Sequence, residues 1–246
     1  MVEFVRQQLQ FEPDERQAEV LSSTAKRGIL NCTRQWGKST VAAAKAVHRL
    51  YTSAGCLVLV ASPSARQSAE LVRKVAGMLG RMRIRARGDG DNEISLQLPN
   101  GSRIVGLPGR DGTVRGFSAV SLLLIDEAAQ VEDRVYQALC PMLAVSDGDM
   151  WLMSTPYGKR GFFYEAWEFG GPGWMRVHVP ATECARIQAG FLEEQRRSAG
   201  DLWFQQEYMG EFVDNGAGVF GRDLVEAALD RGVEPLWPEK NLVRRG

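Results

Sequence analysis

The chain has 246 residues, a hydrophobic share of 44%, and a formal net charge of zero, from 30 lysines and arginines against 30 acidic residues. This composition excludes a disordered chain and a globally basic nucleic-acid binder, so contact with DNA or RNA would need a local patch. The four cysteines lack CxxC spacing, and no apolar run reaches the roughly 20 residues of a membrane span. We therefore expect a soluble, intracellular protein without a zinc site or disulfides.

Apolar runs of strand type alternate with helical segments along the chain, which predicts an α/β fold with a mostly parallel sheet. A helix start at 13–15 precedes the first strand. The predicted strands cover 28–32, 57–61, 94–98, 103–107, 122–125, 150–153 and 175–179. The third and fourth form a hairpin through Pro99-Asn100-Gly101. The predicted helices cover 38–51, 64–80, 131–139, 189–198 and 201–208.

The first strand leads directly into the loop TRQWGKST at 33–40, and a helix follows. A strand, a loop and a helix with Gly-Lys-Ser at the junction form a P-loop arrangement. Its backbone N–H groups would face phosphates, Lys38 would reach the β- and γ-phosphates, and Ser39 would ligate Mg²⁺. Cys32 stands where the usual pattern has its first glycine. The alternative is an ordinary helix start capped by Ser39.

An acidic pair, Asp126 and Glu127, follows the apolar strand at 122–125. Ligands of open α/β sheets bind at the carboxyl ends of the strands, which is where both carboxylates would lie. Asp126 would hold Mg²⁺, and Glu127 would act as the base or orient the attacking water. The alternative is a solvated acidic turn. Together with the phosphate loop, the pair favours ATP hydrolysis.

Three segments together resemble the ATPase domain of the large terminase subunit of tailed bacteriophages, the motor that packages viral DNA into a capsid. They are TRQWGKS at 33–39, LIDEA at 124–128 and STP at 154–156, and QEYMGEF at 206–212 resembles the close of that domain. The resemblance covers about residues 15 to 213. It implies a P-loop NTPase fold of the ASCE/RecA-like type, with an ATPase core at 1–180 and a small C-terminal helical lid subdomain and tail at 181–246.

The resemblance also implies roles for individual residues. Gln17 matches a glutamine that binds adenine, and Arg34 matches a phosphate-loop arginine that senses the γ-phosphate. Arg115 matches an arginine that acts in trans on the ATP of a neighbouring subunit. Arg103 and Arg110 compete with it, and a loop salt bridge is the alternative. The coupling motif is Ser154, Thr155 and Pro156. The implied ATP-binding set is Gln17, Arg34, Gln35, Trp36, Gly37, Lys38, Ser39 and Thr40.

The implied cofactors are ATP and Mg²⁺. The implied partners are double-stranded DNA, other copies of the chain in a ring, the portal protein and the small terminase subunit, in the host cytoplasm at the procapsid. The chain shows no acidic cluster of the nuclease type after the motor segment, so we expect no nuclease domain and no nuclease activity. A helicase-like, nucleic-acid-stimulated ATPase and a non-hydrolysing nucleotide-binding scaffold are the competing functions.

Three features could contact DNA. Arginines alternate at 81, 83, 85 and 87, which would place them on one face of a strand, although an exposed turn is favoured. Lys159 and Arg160 follow the coupling motif. The third feature is an aromatic cluster that could stack on bases, although we favour packing in a core. It consists of Phe162, Phe163, Tyr164, Trp167 and Phe169.

Overall fold

The computed structural model describes residues 1–108 and 116–214. Residues Met1–Val213 form one compact unit. The strands are β1 (Arg27–Cys32), β2 (Leu57–Ser62), β3 (Ser95–Gln97), β4 (Arg103–Pro108), β5 (Val120–Asp126), β6 (Asp149–Ser154) and β7 (Trp174–Val179). The helices are α1 (Val2–Leu9), α2 (Glu15–Ser22), α3 (Lys38–Thr52), α4 (Ala65–Arg81), α5 (Asp133–Leu139), α6 (Gly161–Phe169), α7 (Ala189–Ala199) and α8 (Asp201–Phe204), which continues into a π-helical turn, Gln205–Met209.

The seven strands form one sheet in the order β3-β4-β2-β5-β6-β1-β7. All neighbouring pairs are parallel except β3 and β4, which form the antiparallel hairpin predicted from the turn at 99–101. The predicted mostly parallel sheet is therefore confirmed. Because the strands run in one direction, the carboxyl ends of β1, β5 and β6 meet at the same edge of the sheet.

Alternating side chains of the central strands serve two separate cores. On one face, Leu30 and Trp151 pack with apolar residues of α1, α2, α3 and α4. On the other face, Ile29 and Leu152 pack with residues of α5 and α6. This alternation follows from the period of two in a strand. Helices cover both faces of the sheet, so its central strands are buried.

Residues after β7 build a smaller core of their own. Leu192 of α7, Phe204 of α8 and Tyr208 of the π-helical turn pack together with Ala181. Two hydrogen bonds tie this segment to the sheet, from Asn31 Nδ2 to the Gly210 carbonyl at 2.6 Å and between His178 Nε2 and the Met209 carbonyl at 2.8 Å.

The stretch of alternating arginines is not a strand. Arg81 is the last residue of α4 and donates to the Leu9 carbonyl at 2.8 Å, and Arg83 has a left-handed φ of 57°. Only Arg87 bridges a strand, pairing with Gln97. All four side chains are exposed, so the interpretation as an exposed connection is confirmed.

The aromatic segment of α6 is mostly core. Phe162, Phe163 and Tyr164 are buried, whereas Phe169 is 63% exposed. The packing interpretation is therefore confirmed for the first three. Among the described residues, no helix combines the length and the apolar character that a membrane span requires.

Candidate nucleotide site

The loop between β1 and α3 leads into a helix start that has no side-chain cap. The N-cap of α3 is Gly37, whose φ of 102° suits glycine, and its position carries no side-chain cap. The Ser39 hydroxyl donates instead to Asp126 Oδ2 at 3.3 Å. The alternative of a helix start capped by Ser39 is therefore wrong. An uncapped helix N-terminus with a positive dipole end is a ready anion site.

Lys38 is a buried cation held by the loop itself. Its ammonium donates to the carbonyl of Cys32 at 2.6 Å and to that of Thr33 at 3.2 Å, and the residue is only 7% exposed. These carbonyls replace the water that burial removes. They hold the charge at the start of α3, beside the uncapped N–H groups.

The acidic pair lies at the carboxyl end of β5, on the other side of β6 from the phosphate loop. Asp126 Oδ1 accepts from the Glu127 N–H at 3.2 Å. Glu127 has a left-handed φ of 50°, a strained conformation for a residue with a side chain. Burial raises the pKa of both carboxyl groups, and Lys38 opposes that rise. No described residue forms a hydrogen bond with the buried Glu127 Oε2. A solvated acidic turn is therefore excluded.

These side chains surround one cavity of about 490 Å³. Of the predicted residues, the cavity brings together Gln17, Arg34, Gln35, Gly37, Lys38, Ser39, Thr40 and Glu127. Asp126 contacts the cavity wall through its hydrogen bond with Ser39. The Trp36 side chain is 2% exposed and packs in the core, so it anchors the loop and does not line the cavity.

Gln17 connects the N-terminal segment to the loop. Its side-chain oxygen accepts from the Asp14 N–H at 3.1 Å in a capping box at the start of α2. Its Nε2 donates to the Trp36 carbonyl at 2.7 Å. The predicted helix start at 13–15 is confirmed, and it places Gln17 in the cavity wall.

The predicted coupling residues begin at Ser154, the last residue of β6, and are buried. Thr155 Oγ1 donates to Glu207 Oε2 at 3.4 Å, and Arg34 Nε donates to the same oxygen at 2.9 Å. Glu207 therefore joins the phosphate loop to the coupling segment. Ser154 Oγ is buried, and no described residue forms a hydrogen bond with it.

Of the three candidates for the arginine that acts in trans, the described residues include Arg103 alone. Arg115 and Arg110 lie outside the described residues. Arg103 begins β4, at the amino end of the parallel strands and so at the sheet edge opposite the phosphate loop. Its Nη1 lies 3.8 Å from Asp89 Oδ2.

Four residues that sequence reasoning missed lie at or beside the site. Phe11, Lys74 and Arg186 line the cavity, and Glu207 binds Arg34. None belongs to a phosphate-binding motif. Arg186 is 150 positions from Trp36, whose carbonyl it contacts. The one usable signal was the QEYMGEF segment, which contains Glu207.

The fold and site define a class of protein. A phosphate loop after β1 and an acidic pair after β5, with β6 between them, are the arrangement of RecA-like P-loop NTPases. The chain belongs to the large terminase subunit family, because the family model for "Terminase large subunit, T4likevirus-type, N-terminal" matches residues 29–227.

Relatives and solved structures agree with this assignment. The large terminase subunit of Thermus virus P23-45 is 27% identical over 88% of this chain and 52% of its own length. The large terminase ATPase domain of Thermus phage P74-26 superposes with a TM-score of 0.76, at 25% identity over 85% of this chain and 97% of that domain. The large terminase of another thermophilic bacteriophage, solved in complex with ADP, shares the fold, with a TM-score of 0.70 at 16% identity over 81% of this chain and 53% of that one. This chain spans about half the length of the curated relatives it matches.

Proposed function

We propose that this chain hydrolyses ATP with Mg²⁺ to drive packaging of double-stranded viral DNA. The observation that carries the proposal is that Lys38, Ser39 and Glu127 line one cavity, and that Asp126 accepts a hydrogen bond from Ser39. Structures of a thermophilic phage's large terminase in complex with ADP and with ATP-γ-S support nucleotide binding by this fold.

The phosphates bind at the uncapped start of α3. Lys38 already lies there, and it exchanges loop carbonyls for phosphate oxygens. The metal site would use Ser39 Oγ and Asp126 Oδ2, which lie 3.3 Å apart. Both are hard oxygen donors, and Mg²⁺ commonly takes one or two protein oxygens and fills its other positions with phosphates and water. When bound, Mg²⁺ neutralises charge that develops on the phosphates.

Glu127 accepts the proton of the attacking water or orients that water. Its Oε2 has no described partner, and burial raises the pKa of its carboxyl group toward the operating pH. A base is most effective when its pKa approaches that pH. Glu127 itself lines the cavity, as this role requires.

Movement is proposed to pass from the phosphate loop to the coupling motif. Arg34 senses the γ-phosphate, and Ser154, Thr155 and Pro156 transmit the change. The shared Glu207 supports this role, since it contacts both Arg34 and Thr155.

The wider assembly follows from the family. We propose a ring of copies on DNA, with Arg115 acting in trans on a neighbour's ATP, and with the portal protein and small terminase subunit as further partners. Residues 181–246 would form the lid subdomain and tail. The site of action would be the host cytoplasm, at the procapsid.

The test compares ATP hydrolysis by the wild type and by Glu127→Ala, each with and without Mg²⁺. We expect Glu127→Ala to lose on the order of 10²-fold or more in rate, because it lacks the base, and to retain ADP binding. Glu194→Ala is the matched control, since Glu194 is exposed on α7, and it should keep the wild-type rate. Equal rates for wild type and Glu127→Ala would overturn the hydrolytic assignment and favour a nucleotide-binding scaffold.

A further inference from the structure

The residues that line the cavity fall into two chemically distinct sets. One set suits phosphates, namely Lys38 and Ser39 at the start of α3, together with Glu127. The remaining wall includes Phe11, Gln17 and Arg186. An aromatic ring, an amide and a guanidinium are the groups that bind a flat heteroaromatic base, by apolar contact, edge hydrogen bonds and stacking.

Arg186 reaches the phosphate loop from the segment after β7. Its Nη1 donates to the Trp36 carbonyl at 2.7 Å and approaches the Gln35 carbonyl at 3.4 Å. Gln17 Nε2 donates to the same Trp36 carbonyl. Two side chains from distant parts of the chain therefore converge on one oxygen, immediately before Gly37.

The Arg186 guanidinium can make further contacts besides these. Its one described carboxylate partner, Asp14 Oδ2, lies 3.7 Å from Nη2, beyond an ordinary hydrogen bond. Arginine has five N–H donors and a flat face, and the Arg186 side chain is 48% exposed. A ligand in the cavity can therefore use a donor or the face of the guanidinium without breaking the bond to Trp36.

We propose that Arg186 binds the nucleoside half of the nucleotide, beside Gln17, and so is a positioning and specificity residue for this site. The inference rests on the proposed nucleotide binding. The phosphates bind Lys38 and the N-terminus of α3, which leaves Gln17 and Arg186 for the ribose and base. Arg186 would thereby tie the chain segment after β7 to the bound nucleoside.

The experiment separates nucleoside contact from loop support by using two ligands. Calorimetry measures binding of ADP and of pyrophosphate, each with Mg²⁺, to the wild type, Arg186→Ala and Arg186→Lys. We expect Arg186→Ala to weaken ADP about tenfold, an ordinary size for a partly desolvated cation over a ring, and to leave pyrophosphate unchanged. Arg186→Lys should recover little, because an ammonium lacks the flat face.

Arg197→Ala is the matched control, since Arg197 is exposed on α7 and donates only within its own helix among the described residues. Equal weakening of ADP and pyrophosphate, or no weakening of either, would overturn the proposal. If Arg186→Ala does not fold, Arg186→Gln keeps a donor for the Trp36 carbonyl and must show the same selective loss of ADP. Failure of the wild type to bind either ligand would instead reject the proposed function.

Discussion

Two groups of residues at and beside the cavity are held in different ways. The sheet side, defined here as Lys38, Ser39, Asp126 and Glu127, follows the ends of buried strands. There Lys38 donates to two loop carbonyls, and Asp126 accepts from Ser39 and from the Glu127 N–H. The C-terminal side, defined as Arg186, Glu207 and Gly210, is joined to the sheet and loop by a few polar contacts with the Trp36 carbonyl, Arg34, Thr155 and Asn31. The groups proposed to hold the phosphates and the metal therefore lie on the first side.

The C-terminal side nevertheless has one tight attachment. Asn31 and His178 are paired residues on β1 and β7, and they bind the successive carbonyls of Gly210 and Met209. Since a carbonyl only accepts, His178 Nε2 must carry a proton in this bond. Substitutions at this attachment, at the Arg34–Glu207 pair and on the sheet side test how firmly each part is held.

The largest effect is expected from Gly210→Ala. Gly210 has φ +73°, and a Cβ there would lie 2.7 Å from His178 Nε2 and 3.1 Å from Asn31 Oδ1. Strain and displacement of the His178 contact should lower the free energy of unfolding by about 2–3 kcal/mol. Thermal unfolding measures this loss, at roughly 2–4 °C per kcal/mol for a chain of this size.

Gly171→Ala is the control for the backbone cost alone. Gly171 has φ +74°, and a Cβ there would meet nothing within 4 Å. Its loss should be about 1 kcal/mol. Equal losses in the two variants would show that the contact with His178 does not anchor the C-terminal side.

The Arg34–Glu207 pair should respond asymmetrically. The Arg34 side chain is 61% exposed and that of Glu207 is 9% exposed. Arg34→Ala leaves a buried carboxylate with Thr155 as its remaining described hydrogen-bond donor, so we expect a loss of about 1–2 kcal/mol in urea unfolding without nucleotide. Glu207→Gln leaves an arginine that water can solvate, and it should cost under about 1 kcal/mol. The opposite order would mean that Glu207 is solvated in the folded protein.

The same difference between the two sides explains which site residues could be predicted from the sequence. Strand, loop and helix order predicted that Lys38 and Glu127 would lie at one edge of the sheet, and both line the same cavity. The reason is that each follows a strongly apolar strand, and register brings strand ends together. Arg186 and Glu207 could not be placed in this way. They come from helices and turns whose docking depends on individual contacts, such as those of Asn31 and His178, and no local periodicity encodes such contacts. Even within the phosphate loop, the sequence motif did not indicate that the ring of Trp36 is buried.

The smallest expected effect is a pH-dependent stabilisation of the folded protein by Glu127→Gln, a substitution on the sheet side. Burial is the largest cause that raises the pKa of Glu127, and the other groups facing it are Lys38, Asp126, Arg34 and Glu207. Below the ordinary glutamate pKa of about 4.3 the carboxyl is protonated in both folded and unfolded states, so it costs nothing. As pH rises through the raised native pKa, the folded state binds more protons than the unfolded state and loses stability.

Glu127→Gln removes this loss, so without nucleotide or metal its melting temperature should exceed that of the wild type at pH 8 and match it near pH 4. Asp126, whose pKa is also raised, remains in both proteins, and its effect largely cancels in the difference. A constant difference across this pH range would mean that the Glu127 carboxylate is solvated in the folded protein, as the exposed Arg34 guanidinium is.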